Sequence, residues 1–301
     1  MKKNKTMIVL FLAPALILFC AVFVYPIIRT IIMSFYKVEN VTSGMNEWIF
    51  TGFNNYKSLV NVQLFKRSMW NLFRIWLVGG IIVMSISLLF AVILNSGIKG
   101  KKFFRAAIYM PNVISAVALA TMWLQYVYNR KFGLLHTIGQ AIGWKAMATT
   151  TWTDNSHKFW ALLFAYCFGM VGYHMLIWSS GIEKIPQELF EAATIDGASI
   201  RQQFNHITFP LLKGVIKTNI TMWSITSVSF FVWSQLFSMV TADANTITPM
   251  VYMYLQVFGA GNVVTERNAG LGAAVGVTMG LCVVIIFILT NKLIGNDEIE
   301  Y

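Results

Sequence analysis

The side chains of this sequence are better suited to recognition than to making or breaking bonds. Its 301 residues include 12 Asp and Glu, four His and three Cys. Cys20, Cys167 and Cys282 each lie inside an apolar run, where they read as small buried hydrophobes rather than a disulfide or metal set. No G-x-x-x-x-G-K-[ST] occurs, so the chain has no P-loop with which to hydrolyse ATP. Tyr166, Met170, Tyr173 and Ile177 share one helical face with His174 beside it; Trp223, Ser227, Phe230 and Ser234 share another. Aromatic plates set among hydroxyl and imidazole groups suit a solute with many hydroxyls and flat apolar faces, and the same pattern also serves ordinary aromatic packing between helices. Tyr166, Tyr173, His174, Trp223, Ser227 and Phe230 are the candidate solute contacts. No cofactor and no metal site is called for.

These faces need a membrane to position them. The chain is 57% hydrophobic and 12% charged, with mean hydropathy +0.63, more apolar content than a soluble core buries. Six apolar runs, at about 7–28, 71–94, 106–128, 159–182, 215–240 and 268–293, have roughly the 20 residues that cross about 30 Å of hydrocarbon. The expected fold is an all-α polytopic membrane protein with six transmembrane helices, one domain over 1–301. The net charge of +11 would fit nucleic acid, but basic residues such as Lys99, Lys101, Lys102 and Arg105 collect between apolar runs, where the membrane topology rule accounts for them. Nucleic acid is therefore set aside. A cleaved signal peptide is set aside too, because the first run is too long and Phe19 is too bulky before Cys20. None of the six runs holds Asp or Glu, which removes the usual carboxylate relay of ion-coupled carriers. Within the runs, Pro111 predicts a kink, Arg74 is expected to snorkel, and Gly272, Gly276 and Gly280 predict a close-packing stripe.

One polar stretch interrupts the apolar pattern with strong helix signals: IPQELFEAATIDGASIRQQFNHITFPLLKG, residues 185–214. Pro186 suits a helix start, and Glu188 and Glu191 sit in the early turns where the dipole favours anions. Gly197 can take the left-handed conformation of a C-cap, so helices over 187–196 and 198–206 are predicted on either side of a sharp bend. Pro210 is expected to close the second helix, whose Ile200, Phe204 and Ile207 form an apolar face.

EAATIDGAS with the downstream Ile207 and Pro210 resembles the EAA loop of the inner-membrane permease subunits of ATP-binding-cassette importers, particularly the carbohydrate-uptake branch with the maltose and glycerol-phosphate permeases. FLAPALILFCAVFVYPIIRTIIMSFY, GFNNYKSLVN, FFRAAIYMPNVISAVALATMWLQYVYNRKFGLL and TPMVYMYLQVFG resemble further segments of that family. The chain departs from the pattern at Phe209, where leucine is usual, at Gly214, where proline is common, and at TADANT, which replaces a Gly- and Pro-rich segment.

The resemblance implies that the loop is a cytoplasmic coupling helix docked in a cleft of an ATPase subunit. Glu191, Ala192, Ala193, Asp196, Gly197, Ile207 and Pro210 occupy its motif positions, with Glu191 pairing a basic residue of the ATPase. It further implies a second related permease subunit, two ATPase subunits, an extracytoplasmic solute-binding (lipo)protein, a sugar substrate, and a bacterial cytoplasmic membrane with both termini inside. Four crossings from an inside N-terminus return this loop to the cytoplasm. An ATPase-independent secondary carrier or channel stays open at this point, as does a phosphorylated polyol in place of the sugar.

Overall fold

The structure is a computed structural model describing residues 5–238, 243–259 and 267–294. Its main helices, in chain order, are α1 (Val9–Met33), α2 (Gln63–Asn95), α3 (Lys101–Val113), α4 (Ala116–Val127), α5 (Lys158–Ile182), α6 (Gln187–Ile195), α7 (Ile200–Gln203), α8 (Lys213–Val228), α9 (Val232–Phe237), α10 (Pro249–Phe258) and α11 (Ala269–Leu293). Among the described residues the only strands are β1 (Tyr36–Lys37) and β2 (Ile49–Phe50), an antiparallel pair. The chain is thus all-α in character, as its composition predicts.

Not all of the six apolar runs form unbroken helices. Among the described residues four helices, α1, α2, α5 and α11, are long and apolar enough to cross a membrane, and a fifth crossing requires counting α3 and α4 together across a 97° bend. Ile114 and Ser115 take extended backbone there, with ψ 138° and 143°. The Ser115 hydroxyl accepts the Ala118 N–H at 3.3 Å. An N-cap thus starts a new helix in the middle of an apolar run. Pro111, the predicted kink, lies inside α3, ahead of the actual turn. The run at 215–240 is interrupted as well: α8 stops at Val228, α9 starts at Val232, and the Ser229 hydroxyl bonds back to the Ile225 carbonyl at 3.0 Å. Residues 239–242 lie outside the described residues, including the start of TADANT, as do both termini whose side of the membrane was predicted.

The chain divides into two compact units, Met1–Lys66 with Tyr252–Leu281, and Arg67–Val251 with Cys282–Tyr301. In the first unit, α1 is exposed along its apolar length, with Leu10 and Phe11 more than 70% accessible. Asn55 donates to the Ser34 and Tyr36 carbonyls at 2.8 and 2.9 Å, satisfying backbone left open after α1. The glycine stripe is shorter than predicted. A Cβ on Gly272 would sit 2.6 Å from Val257 and one on Gly276 3.6 Å from the Met253 sulfur, whereas nothing lies within 4 Å at Gly280. The close approach involves α10 and stops one turn early.

In the second unit α5 is the spine. Leu162, Leu163, Ala165, Tyr166, Cys167 and Met175 are all buried on it. A side chain at Gly172 would meet the Tyr109 Cα at 2.6 Å, so its absence lets α3 close on α5. A π-helical turn at Ile75–Gly79 interrupts α2. Arg74, just before it, packs against its own unit. Its guanidinium lies 3.7 Å from the Phe159 ring centroid and donates to Asn71 Oδ1, because a ring face and an amide oxygen are available inside the unit.

Candidate functional site

The polar loop after α5 forms a bent pair of short helices. Pro186, with extended ψ of 132°, leads into α6, and Gly197 ends it at φ +76°. The Ala198 N–H reaches the Ala193 carbonyl at 2.8 Å and the Gly197 N–H the Thr194 carbonyl at 3.1 Å, closing the carbonyls at the helix end. Nothing within 4 Å would meet a Cβ at Gly197, so the glycine serves backbone conformation alone. Ser199 then opens α7 through a capping box with Gln202. A π turn at Phe204–Thr208 carries the helix on, and Pro210 does not close it. Pro210 sits in the following helical segment, Phe209–Leu211, and the break comes at Leu212.

Glu191, Ala192, Asp196, Gly197 and Pro210 are exposed, while Ala193 and Ile207 are half-buried. Of the predicted apolar face, Ile200 is 78% exposed, and across the bend Ile195 is 86% exposed. Two bare isoleucines flank a hinge with Glu191 nearby.

The predicted solute contacts gather inside the second unit. Tyr166 lies 5.6 Å from Trp223 and 4.7 Å from Phe230 by ring centroid, and His174 lies 5.8 Å from Trp223 and 5.1 Å from Tyr173. Trp223 is held by its indole N–H on the Trp76 carbonyl at 2.7 Å, while the Trp76 indole donates to Ser224 Oγ at 2.9 Å. Gly79 and Gly80 give Trp223 its seat: a Cβ on either would come within about 3 Å of the indole. Tyr166, His174, Trp223, Ser227 and Phe230 are buried, and Tyr173 is half-buried.

His174 is fully buried and its Nδ1 lies 2.7 Å from Asn219 Oδ1. The Asn219 amide nitrogen donates to the Val215 carbonyl at 3.2 Å, which orients its oxygen toward the imidazole. Nδ1 therefore carries the proton, a tautomer assigned from this network, and Nε2 is an acceptor. Among the described residues Nε2 has no partner, and neither does the buried Ser227 hydroxyl. Each could take a hydrogen bond from a hydroxyl-bearing solute or water.

Next to this cluster, at the α3–α4 break, is a cavity of about 140 Å³ lined by Asn112, Leu119, Tyr166, Met170 and Trp233 among others. Asn112 donates to the Gly169 carbonyl at 3.3 Å. Of the predicted solute contacts only Tyr166 lines this space.

Residues 83–294 match the family described as binding-protein-dependent transport system inner membrane component. The chain belongs to this family. The permease is similar to the arabinooligosaccharides transport system permease protein AraP of Bacillus subtilis, 28% identical over 97% of this chain and 89% of that protein. The probable ABC transporter permease protein YurN of the same organism is 32% identical over 70% of this chain and 71% of that protein. In fold the permease is similar to a chain of a bacterial ABC transporter involved in the import of the acidic polysaccharide alginate, with TM-score 0.80, 19% identity, and coverage of 97% and 96% of the two chains.

Sequence reading missed several residues that hold the permease interior together: Trp76 and Asn219, which fix Trp223 and His174, and Asn112 at the cavity. A lone amide in an apolar run was the available signal for the last two. Lys101 and Arg105 were read only as a mark of membrane side, yet both lie on α3 and pair with Glu183. Among the described residues no group of three or more His, Cys, Asp or Glu gathers as a metal site.

Proposed function

We propose that this permease forms half of the translocation pathway of an ATP-driven importer of a sugar, with an oligosaccharide as the favoured substrate class, and couples to a separate ATPase through the loop at 185–214. The observation that carries the coupling role is the exposed bent helix pair, with its left-handed Gly197 and the bare Ile195 and Ile200 beside Glu191. An apolar hinge with one acid suits a cleft on another protein that offers apolar walls and a cation. The substrate class is supported by the names of the relatives and by the aromatic cluster with its two unpartnered hydrogen-bonding atoms, His174 Nε2 and Ser227 Oγ.

On this reading six crossings place both termini inside, a second related permease completes the pathway, and two ATPase subunits grip the two loops. Closure of the ATPases on ATP moves α6, the bundle opens outward, solute enters from an extracytoplasmic binding protein, and hydrolysis resets it. Each ligand must favour one state over the other, by about 1–3 kcal/mol in typical cases.

The test is uptake of labelled oligosaccharide in a strain deleted for this chain and complemented with variants. Glu191→Lys and Gly197→Pro are expected to abolish uptake while inserting normally. Normal transport by both would remove the coupling role. Transport by the purified chain alone in liposomes would replace the importer with a carrier.

A further inference from the structure

Glu183 stands where a helix least favours an acid. It is the C-cap of α5, beside carbonyls that form the negative end of the helix dipole. Two cations from α3 meet it there, both on Oε1: Lys101 Nζ at 2.9 Å and Arg105 at 2.8 Å. Lys101 also donates to Asn95 Oδ1 at 2.7 Å, and the Asn95 amide is held by the Ala91 carbonyl at 2.8 Å. One carboxylate therefore gathers the end of α2, the first turns of α3 and the end of α5.

The connection from this cluster to the bent loop has little slack. Only 183–186 separate α5 from α6, the Lys184 and Ile185 N–H groups bond back to Gly181 and Ile182 at 3.2 and 3.1 Å, and Ile185 is buried at 7% exposure. In the other direction, α3 runs from Lys101 to the break at Ile114, where Asn112 ties it again to α5 beside the cavity. A rigid helix joined to α5 at both ends passes a displacement of its first turn along to its last.

We propose that Glu183 is a positioning residue of the transport cycle: it clasps the root of the coupling loop to the head of α3, so that movement of α6 reaches the α3–α4 break instead of being lost at the joint. This rests on the reading of the loop as the ATPase contact. The clasp is half-exposed and contributes little to stability. Its work shows in how many solute molecules are imported per ATP hydrolysed.

The experiment uses the full importer in proteoliposomes with its ATPase, second permease and binding protein, comparing wild type, Glu183→Gln, Glu183→Asp, and a reversed set combining Glu183→Arg with Lys101→Glu and Arg105→Glu. In Glu183→Gln the imported-per-ATP ratio is expected to fall at least about fivefold while the ATPase stays bound and active, a coupling change of ordinary size. Glu183→Asp and the reversed set are expected to recover most of the ratio. A wild-type ratio in Glu183→Gln overturns the proposal, and so does an equal loss in every variant. If Glu183→Gln does not assemble, Lys101→Met with Arg105→Met unpairs the same carboxylate, and a wild-type ratio there overturns it too. Absence of ATP-dependent uptake by wild type would instead sink the underlying coupling reading, so the two failures are distinct.

Discussion

The two ends of α5 carry the same electrostatic fault and correct it in opposite ways. Lys158, its first residue, puts a cation at the positive end of the dipole, and Glu183 puts an anion at the negative end, roughly 37 Å away for a 25-residue helix. At the first end Lys158 Nζ meets Asp243 Oδ2 at 2.6 Å, with the two side chains only 5% and 6% exposed. Asp243 Oδ1 takes the Asn245 N–H at 3.0 Å, and Asn71 donates to the Ala244 and Ile247 carbonyls at 3.1 and 2.9 Å, so the chain around the pair is fixed. At the second end Glu183 is 43% exposed and its cations 35% and 34%. Water screens that cluster and can replace its bonds. One end of α5 is thus sealed from water and the other is open to it.

The largest effect that could break the contrast is loss of the anchored pair. Lys158→Met leaves Asp243 buried without its cation and is expected to destabilise the permease by about 3–5 kcal/mol. Adding Asp243→Leu is expected to restore most of that, since a dry apolar pair replaces a dry charged one. Thermal unfolding of the purified protein checks both, and a Lys158→Met protein as stable as wild type would show that water reaches the pair. Glu183→Gln in the same assay is expected to shift stability by at most about 1 kcal/mol. A shift as large as that of Lys158→Met would erase the difference between the two ends. Added salt sharpens it further: at about 1 M the screening length shrinks to roughly 3 Å, so the small Glu183→Gln difference should vanish and the Lys158→Met difference persist.

Much of this scaffold could be read from the sequence because a long apolar run is a local property. The runs predicted at 7–28, 71–94, 159–182 and 268–293 all fall within or largely overlap long helices, though α1 continues to Met33 and α2 begins eight residues early at Gln63. The bend at Gly197 was legible for the same reason, since a positive φ needs only one residue. The breaks at Ile114–Ser115 and Ser229–Phe231 were not, because apolar composition continues across them and a single serine carries the signal. Pairing was least legible of all. Lys158 and Asp243 are 85 residues apart and His174 and Asn219 are 45 apart, so only the packing of α5 against later segments brings them together. Lys158 read as the last residue of a loop, and nothing in its neighbours names an acid so far along the chain.

The smallest effect gives the sign of the free end. The Glu183 carboxyl is held below its usual range first by the Lys101 hydrogen bond, with partial burial opposing and Arg105 adding to it. Its folded value is thus lower than its unfolded one, so the contribution of the clasp is complete above the ordinary carboxylate range and is lost as pH falls through the lowered value. Lys101 and Arg105 are the charged groups that touch it, and Asn95 bears on it only through Lys101. The stability difference between these two proteins should therefore be flat near neutral pH and close at acid pH. A difference that widened toward acid would mean that the structure favours the protonated acid, and the cations of α3 would then not be what holds the end of α5.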